Sequence, residues 1–217
     1  MNTKLLTVLT LSLPLLGGCH AAFKNHVGAL GDVQIKTIGA QYPQVNLAGS
    51  QNTTVSGPDL VSAVVGVVQA TNEANLERRI SRVVDAKQVS SALVDSVADN
   101  LGDGPPFTAA VGKGAGNILQ LDVRRYGLNV GDLGSQGNFD YVVRMRVYNN
   151  QANRIYNARV RCEAPIGSPE VAAQVLGVVN NTRQINKMSD QELQAAFDNV
   201  ATWCGERIVE KLRRHAG

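Results

Sequence analysis

Three cysteines occur among the 217 residues, and each stands where thiol chemistry is expected. Cys19 closes the stretch Leu16-Gly17-Gly18-Cys19, directly behind an apolar run from Leu5 to Leu16 that follows Lys4. A positive start, an apolar middle and small residues before a cleavage point are the anatomy of a bacterial secretion signal. Ending that signal in cysteine makes it a lipobox. The small residues admit a signal peptidase, the Cys19 thiol takes a diacylglycerol, and the amine freed by cleavage is acylated. At roughly 0.8 kcal/mol per buried methylene, several acyl chains hold a protein stably on a bilayer. The plain alternative is a secretory signal with a chance cysteine, but that needs one of only three cysteines to fall right behind the apolar run.

With Cys19 lipidated, Cys162 and Cys204 remain as an even pair in an oxidising compartment, where a disulfide is expected in preference to two separate buried thiols. Closing a loop of about 42 residues stabilises by on the order of 4 kcal/mol on chain-entropy grounds. The pair lacks C-x-x-C spacing, so a redox-active role is not expected.

A second group is cationic. By strand parity Arg124, Arg144, Arg146, Arg159 and Arg161 fall on one face of a sheet, together with Asp122, Asp140 and Glu163. Interleaved acids should pair with some of these arginines. Five against three still leaves a surplus of two positive charges. Guanidinium forks suit docking of an acidic protein, a lipid headgroup phosphate or another anion. A solvated face of ordinary ion pairs is the alternative.

Other constellations are weaker. Gly112-Lys113-Gly114-Ala115-Gly116 lacks the Lys-Ser/Thr ending of a phosphate loop and precedes a strand instead of following one. His20, His26 and His215 lie near the ends with no metal-ligand spacing. No Ser-His-Asp or Cys-His arrangement can be assembled. An enzyme, a metal and a cofactor are therefore not expected.

Composition narrows the partners. The formal net charge is +3, and +2 once Lys4 leaves with the signal. No dense basic stretch occurs, which argues against nucleic acid. No second apolar run of 18 residues follows the signal, so no transmembrane helix is expected. Aromatic residues make up only 5% of the chain, against a carbohydrate-stacking module or an aromatic-lined ligand barrel.

The elements that must position these residues read as follows. Residues 1–18 are the signal, 19–32 the lipidated cysteine and a short tether, and 33–217 a single α/β domain. Residues 33–40 read as a strand with Val33, Ile35 and Ile38 inward, and 41–56 as an exposed loop. Helical spacing runs from 59 to 101, with a break expected at 71–75. Its apolar first part, Leu60 to Ala70, reads as a buried helix, with a membrane or oligomer contact as the other reading. Three strands follow, 117–128, 139–148 and 154–162, joined by Gly- and Asn-rich loops that suit antiparallel hairpins. Residues 169–180 suit a short helix. In the last helix Ser189 and Glu192 form a capping box and Met188 can staple onto Leu193. Its apolar face carries Leu193, Phe197, Val200, Cys204, Ile208 and Leu212. The expected fold is α+β, in the order β-α-β-β-β-α, with a mostly antiparallel sheet and helices on one face.

That element order behind a lipobox resembles the small α/β domains of bacterial envelope lipoproteins. They include the amino-terminal domain of the translocation protein TolB, the penicillin-binding-protein activator LpoB, the curli secretion lipoprotein CsgG and the auxiliary lipoproteins of lipid-transport ABC systems. The resemblance covers roughly residues 30–213 by element order. The hairpin running into Arg154-Ile155-Tyr156-Asn157, with its strand ending at Cys162, is similar to uncharacterised lipoproteins of that type. The resemblance implies a non-enzymatic adaptor or assembly factor with an envelope protein partner. A lipid- or small-molecule-binding auxiliary subunit of a transport system is the alternative, with a pocket lined by Leu60 to Val68. Under the enterobacterial sorting rule, His20 in place of Asp implies the outer membrane, with the domain facing the periplasm or, alternatively, the cell surface.

Overall fold

A computed structural model of the chain describes residues 18–28, 30–38, 43–47, 74–102, 104, 107, 116–130, 137–166, 185 and 187–217. Residues 1–17 of the secretion signal expected at 1–18, the apolar segment Leu60 to Ala70, most of the Gly112–Gly116 stretch and the helix expected at 169–180 lie outside these residues.

Strict alternation builds the centre of the sheet. Strand β4 (Asn138–Tyr148) buries Phe139, Tyr141, Val143, Met145 and Val147 on one face. Strands β3 (Asn117–Val130) and β5 (Arg154–Pro165) flank it, both antiparallel. Strand β1 (Val33–Ile38) pairs parallel with the first half of β3, and β2 (Gln44–Leu47) pairs parallel with its far end. The sheet order is β1-β3-β4-β5, with β2 also beside β3.

The class is α+β, as expected, but the sheet is mixed where a mostly antiparallel one was expected. The long connection between β1 and β3 lets the chain return in the same direction, as parallel pairing requires. β2 replaces part of the loop expected at 41–56; four residues are too few for alternation to register. It lies close in: a Cβ added at Gly127 would sit 1.7 Å from the Gln44 carbonyl oxygen, so β3 needs glycine there. Ile38, expected inward, is 51% exposed. Parallel register places it beside Asp122, on the outer face.

The helices are α1 (Gly18–Val27), α2 over residues 74–83, α3 (Ala86–Gly102) and α4 (Asp190–Ala216). The helical run breaks at Val84–Asp85, where no break was expected; most of the break expected at 71–75 lies outside the described residues. Asp85 explains the position: its carboxylate accepts the Lys87 N–H at 2.8 Å and so caps α3. Its own N–H donates to Gln194 Oε1 at 2.7 Å. The capping box of α4 is present, with the Glu192 N–H donating to Ser189 Oγ at 3.2 Å and the Ser189 N–H to Glu192 Oε2. These contacts, the Ser189 backbone bond foremost, hold the Glu192 carboxyl below its ordinary value. α3 and α4 approach closely where Gly205 meets Ser96; an added Cβ would stand 2.5 Å from Ser96 Oγ. The buried Ser96 hydroxyl donates to the Thr202 carbonyl at 2.6 Å.

Residues 19–32, expected as a tether, largely form structure. α1 docks through Phe23, fully buried with its ring 4.4 Å from that of Tyr156. Lys24 Nζ donates to the Gly217 carbonyl at 3.0 Å, and Leu30 is buried. Two apolar anchors in a polar stretch give too little periodicity for a sequence to show the helix.

One inner core joins sheet and helices. Phe139 meets Phe197 edge-to-face at 5.1 Å, and the buried Tyr141 hydroxyl donates to the Phe197 carbonyl at 3.0 Å. Cys162 on β5 and Cys204 on α4 form a disulfide, with Cα atoms 5.5 Å apart, stapling the last strand to the last helix.

Candidate functional site

The five arginines singled out by strand parity share the sheet face opposite the inner core. Registers define the rows: Ile38, Asp122, Arg144 and Arg159 stand side by side across β1, β3, β4 and β5. The adjacent row is Lys36, Gln120, Arg146 and Asn157. Further along, Arg125, Val142 and Arg161 align, and then Gly127, Asp140 and Glu163.

Arg125 is the residue that parity misses. A register shift between Val123 and Arg125 makes Arg124 the extra residue of a β-bulge, so two consecutive arginines serve one face. Strict alternation would send Arg125 inward. Beyond the bulge the alternation resumes, and Tyr126 and Leu128 are buried. Val142, also on this outer face, is fully buried yet separate from the inner core. It is flanked across strands by Arg125 and Arg161, whose aliphatic stems suit such cover.

Each carboxylate on the face serves more than one guanidinium or shares one. The buried Asp140 accepts from Arg125 and, at 3.2 Å, from Arg161 Nε. Arg161 also reaches Glu163 at 2.6 Å, and its pKa is held above the ordinary arginine value, first by the Asp140 hydrogen bond. Asp122, also buried, lies 2.8 Å from Arg124 and 3.5 Å from Arg146. Arg144 Nε donates to Asn157 Oδ1 at 2.8 Å. Arg144 and Arg159 are directly opposite in the β4–β5 register, and among the described residues neither has a carboxylate partner.

The charge is unevenly spread. Arg125 and Arg161 against Asp140 and Glu163 balance. Among the arginines, Arg124, Arg144, Arg146 and Arg159 against Asp122 alone leave a surplus of three in one half of the face, which also carries Lys36. There Arg124, Arg144, Asn157, Ala158 and Arg159 line a hollow of about 530 Å³. The arrangement can hold an anion by guanidinium forks; it contains no nucleophile paired with a base.

Elsewhere several polar groups have structural partners. The Asp198 carboxyl is raised by burial, and accepts from Gln88 at 2.6 Å and Gln194 at 2.8 Å. His215 Nδ1 lies 2.8 Å from the Tyr156 hydroxyl. Among the described residues no group of three or more His, Cys, Asp or Glu is placed to hold a metal ion. Among them, too, no helix is long and apolar enough to cross a membrane. The backbone of Cys19 lies in the first turn of α1.

No protein-family model and no curated protein matches the chain. Among solved structures, a DUF330 protein from Xanthomonas campestris aligns at 12% identity and a TM-score of 0.43, over 85% of this chain and 84% of that one. A neuraminyllactose-binding hemagglutinin homolog from Helicobacter pylori aligns at 9% identity and a TM-score of 0.25, over 86% of each chain. Likeness at these levels carries no argument about fold or function.

Proposed function

We propose that this chain is a non-enzymatic envelope lipoprotein, anchored through acylated Cys19 in the outer membrane with its domain in the periplasm. It works as an adaptor or assembly factor that binds an envelope protein on the outer face of its sheet. The observation that carries this reading is the local surplus of three positive charges around the hollow bounded by Arg124, Arg144 and Arg159. A face meant only to be solvated gains nothing from setting Arg144 directly opposite Arg159, since like charges across strands destabilise. The lipobox and the likeness in element order to small envelope lipoprotein domains point the same way.

The test is affinity capture of the full-length protein from solubilised envelopes, beside its R144Q/R159Q variant. The proposal expects one reproducible protein with the wild type and its loss with the variant. Absence of any reproducible partner, or equal capture by both, contradicts it. Cys19→Ser should move the protein out of the membrane fraction and abolish fatty-acid labelling.

A further inference from the structure

The outer face follows a consistent arrangement. At two places on it, a buried carboxylate sits between two guanidiniums. Asp140 lies between Arg125 and Arg161, and Asp122 between Arg124 and Arg146. Arg144 and Arg159 form the third close pair, and their carboxylate is missing among the described residues. Asp122 stands opposite Arg144 in register, but its ion pairs run to Arg124 and Arg146 instead. Arg144 spends its Nε on Asn157, a neutral acceptor, which fixes the plane of the guanidinium and leaves its two Nη groups to be directed elsewhere. The carbonyl of Arg159, on the last strand of the described sheet, accepts from Lys211 Nζ at 2.8 Å. A hollow of about 530 Å³ opens between the pair, large enough for a side chain and its flanking backbone.

We infer that the partner supplies the missing third carboxylate: an aspartate or glutamate side chain of an acidic protein segment, seated in the hollow between Arg144 and Arg159 with Arg124 at its rim. This rests on reading the outer face as the docking face. A carboxylate is favoured because the two buried acids of the face, Asp122 and Asp140, each bridge two guanidiniums, and because the forked geometry of arginine matches it. A single buried acid on the partner would relieve the Arg144–Arg159 repulsion and fix the register of docking. The rest of the contact would add shape complementarity and little energy.

The prediction can be tested in the full chain by supplying the acid from within. R159E places a carboxylate directly opposite Arg144. It should raise Tm by about 2 °C at low salt, with the gain shrinking at high salt, while R159Q raises it less. The second measurement is NMR titration of the arginine Nε–H signals with the peptide acetyl-Gly-Glu-Gly-Glu-Gly-amide, with its glutamine counterpart, and with inorganic phosphate at matched ionic strength. The glutamate peptide should shift Arg144 and Arg159, bind at least about tenfold more weakly to R144Q/R159Q and to R159E, and bind K87Q like the wild type. A lowered or unchanged Tm for R159E, or equal binding of the glutamine peptide, overturns the inference. Tighter binding of phosphate than of the glutamate peptide also overturns it, in favour of a phosphate-bearing ligand. If affinity capture yields a partner while the peptide and R159E results fail, the docking reading stands and the carboxylate fails. If both of those succeed and no partner is captured, the hollow binds carboxylates, but the docking reading fails and the partner inference fails with it.

Discussion

Single side chains on β3 and β4 show how similar groups differ in effect according to their hydrogen bonds. Tyr126 and Tyr141 are neighbouring buried rings, 5.6 Å apart. The Tyr141 hydroxyl donates to the Phe197 carbonyl, whereas the buried Tyr126 hydroxyl has no hydrogen-bond partner among the described residues. A buried unpaired hydroxyl costs free energy and a paired one contributes it. Y126F should therefore raise unfolding stability by about 1 kcal/mol and Y141F lower it by about 1 kcal/mol, read from denaturant midpoints at constant m. The same scale shows what sequence can and cannot reveal about the site. Arg124, Arg144, Arg146, Arg159 and Arg161 were placed on one face by parity alone, and so were Asp122, Asp140 and Glu163. Arg125 was not, because a bulge breaks parity and nothing in the local residues Val123-Arg124-Arg125 marks one. Nor does sequence show which acid serves which arginine; Arg125 raises the surplus from two to three, and the pairing gathers it in one half of the face.

At the scale of elements, the strongest local signals became the most regular structures. The capping box of α4 formed as its Ser-x-x-Glu spacing implies. Ser189→Ala should cost about 1 kcal/mol. The cap also sets a pH dependence. The Glu192 carboxyl is held below its ordinary value, so its contribution is present above that value and fades as pH falls through the lowered one. The acid limb of the stability curve should therefore flatten in E192Q, which removes the titrating carboxyl. Periodicity likewise located β4 and β5 and the partnership of Cys162 with Cys204. Mass measurement without reductant should find the soluble domain with no thiol at either position. Quantitative alkylation of both cysteines before reduction would contradict the disulfide. Short or sparsely apolar elements escaped. β2 has four residues, and α1 is anchored chiefly through Phe23. The parallel pairing of β1 is a property of long-range topology that the strand's own six residues do not encode.

Among the described residues, one core holds a helical layer to the inner face of the sheet, and the arginines stand on its outer face. Three of the five tyrosines belong to this core. Burial pushes Tyr156 up to about 12; burial, with the Asp85 charge behind it, does the same to Tyr126, and burial raises Tyr141 well above its ordinary value. A raised phenol contributes stability that is complete below its ordinary value near 10 and is lost as pH rises through the folded one. Three phenolate transitions should thus be displaced above pH 10 in a spectrophotometric titration of the folded domain, those of Tyr126 and Tyr156 to about 12. Titration of all five near pH 10 would show that the core is open to water.

The central claim is that the outer face, and not the helical layer, meets a partner. Its most direct measurement is site-specific photo-crosslinking in intact cells, with the photoreactive residue at position 144 on the sheet and, for comparison, at the exposed Lys87 of α3. A discrete protein adduct from position 144 and none from 87 is the predicted result. Adducts from neither position, or adducts to lipid alone, would contradict it.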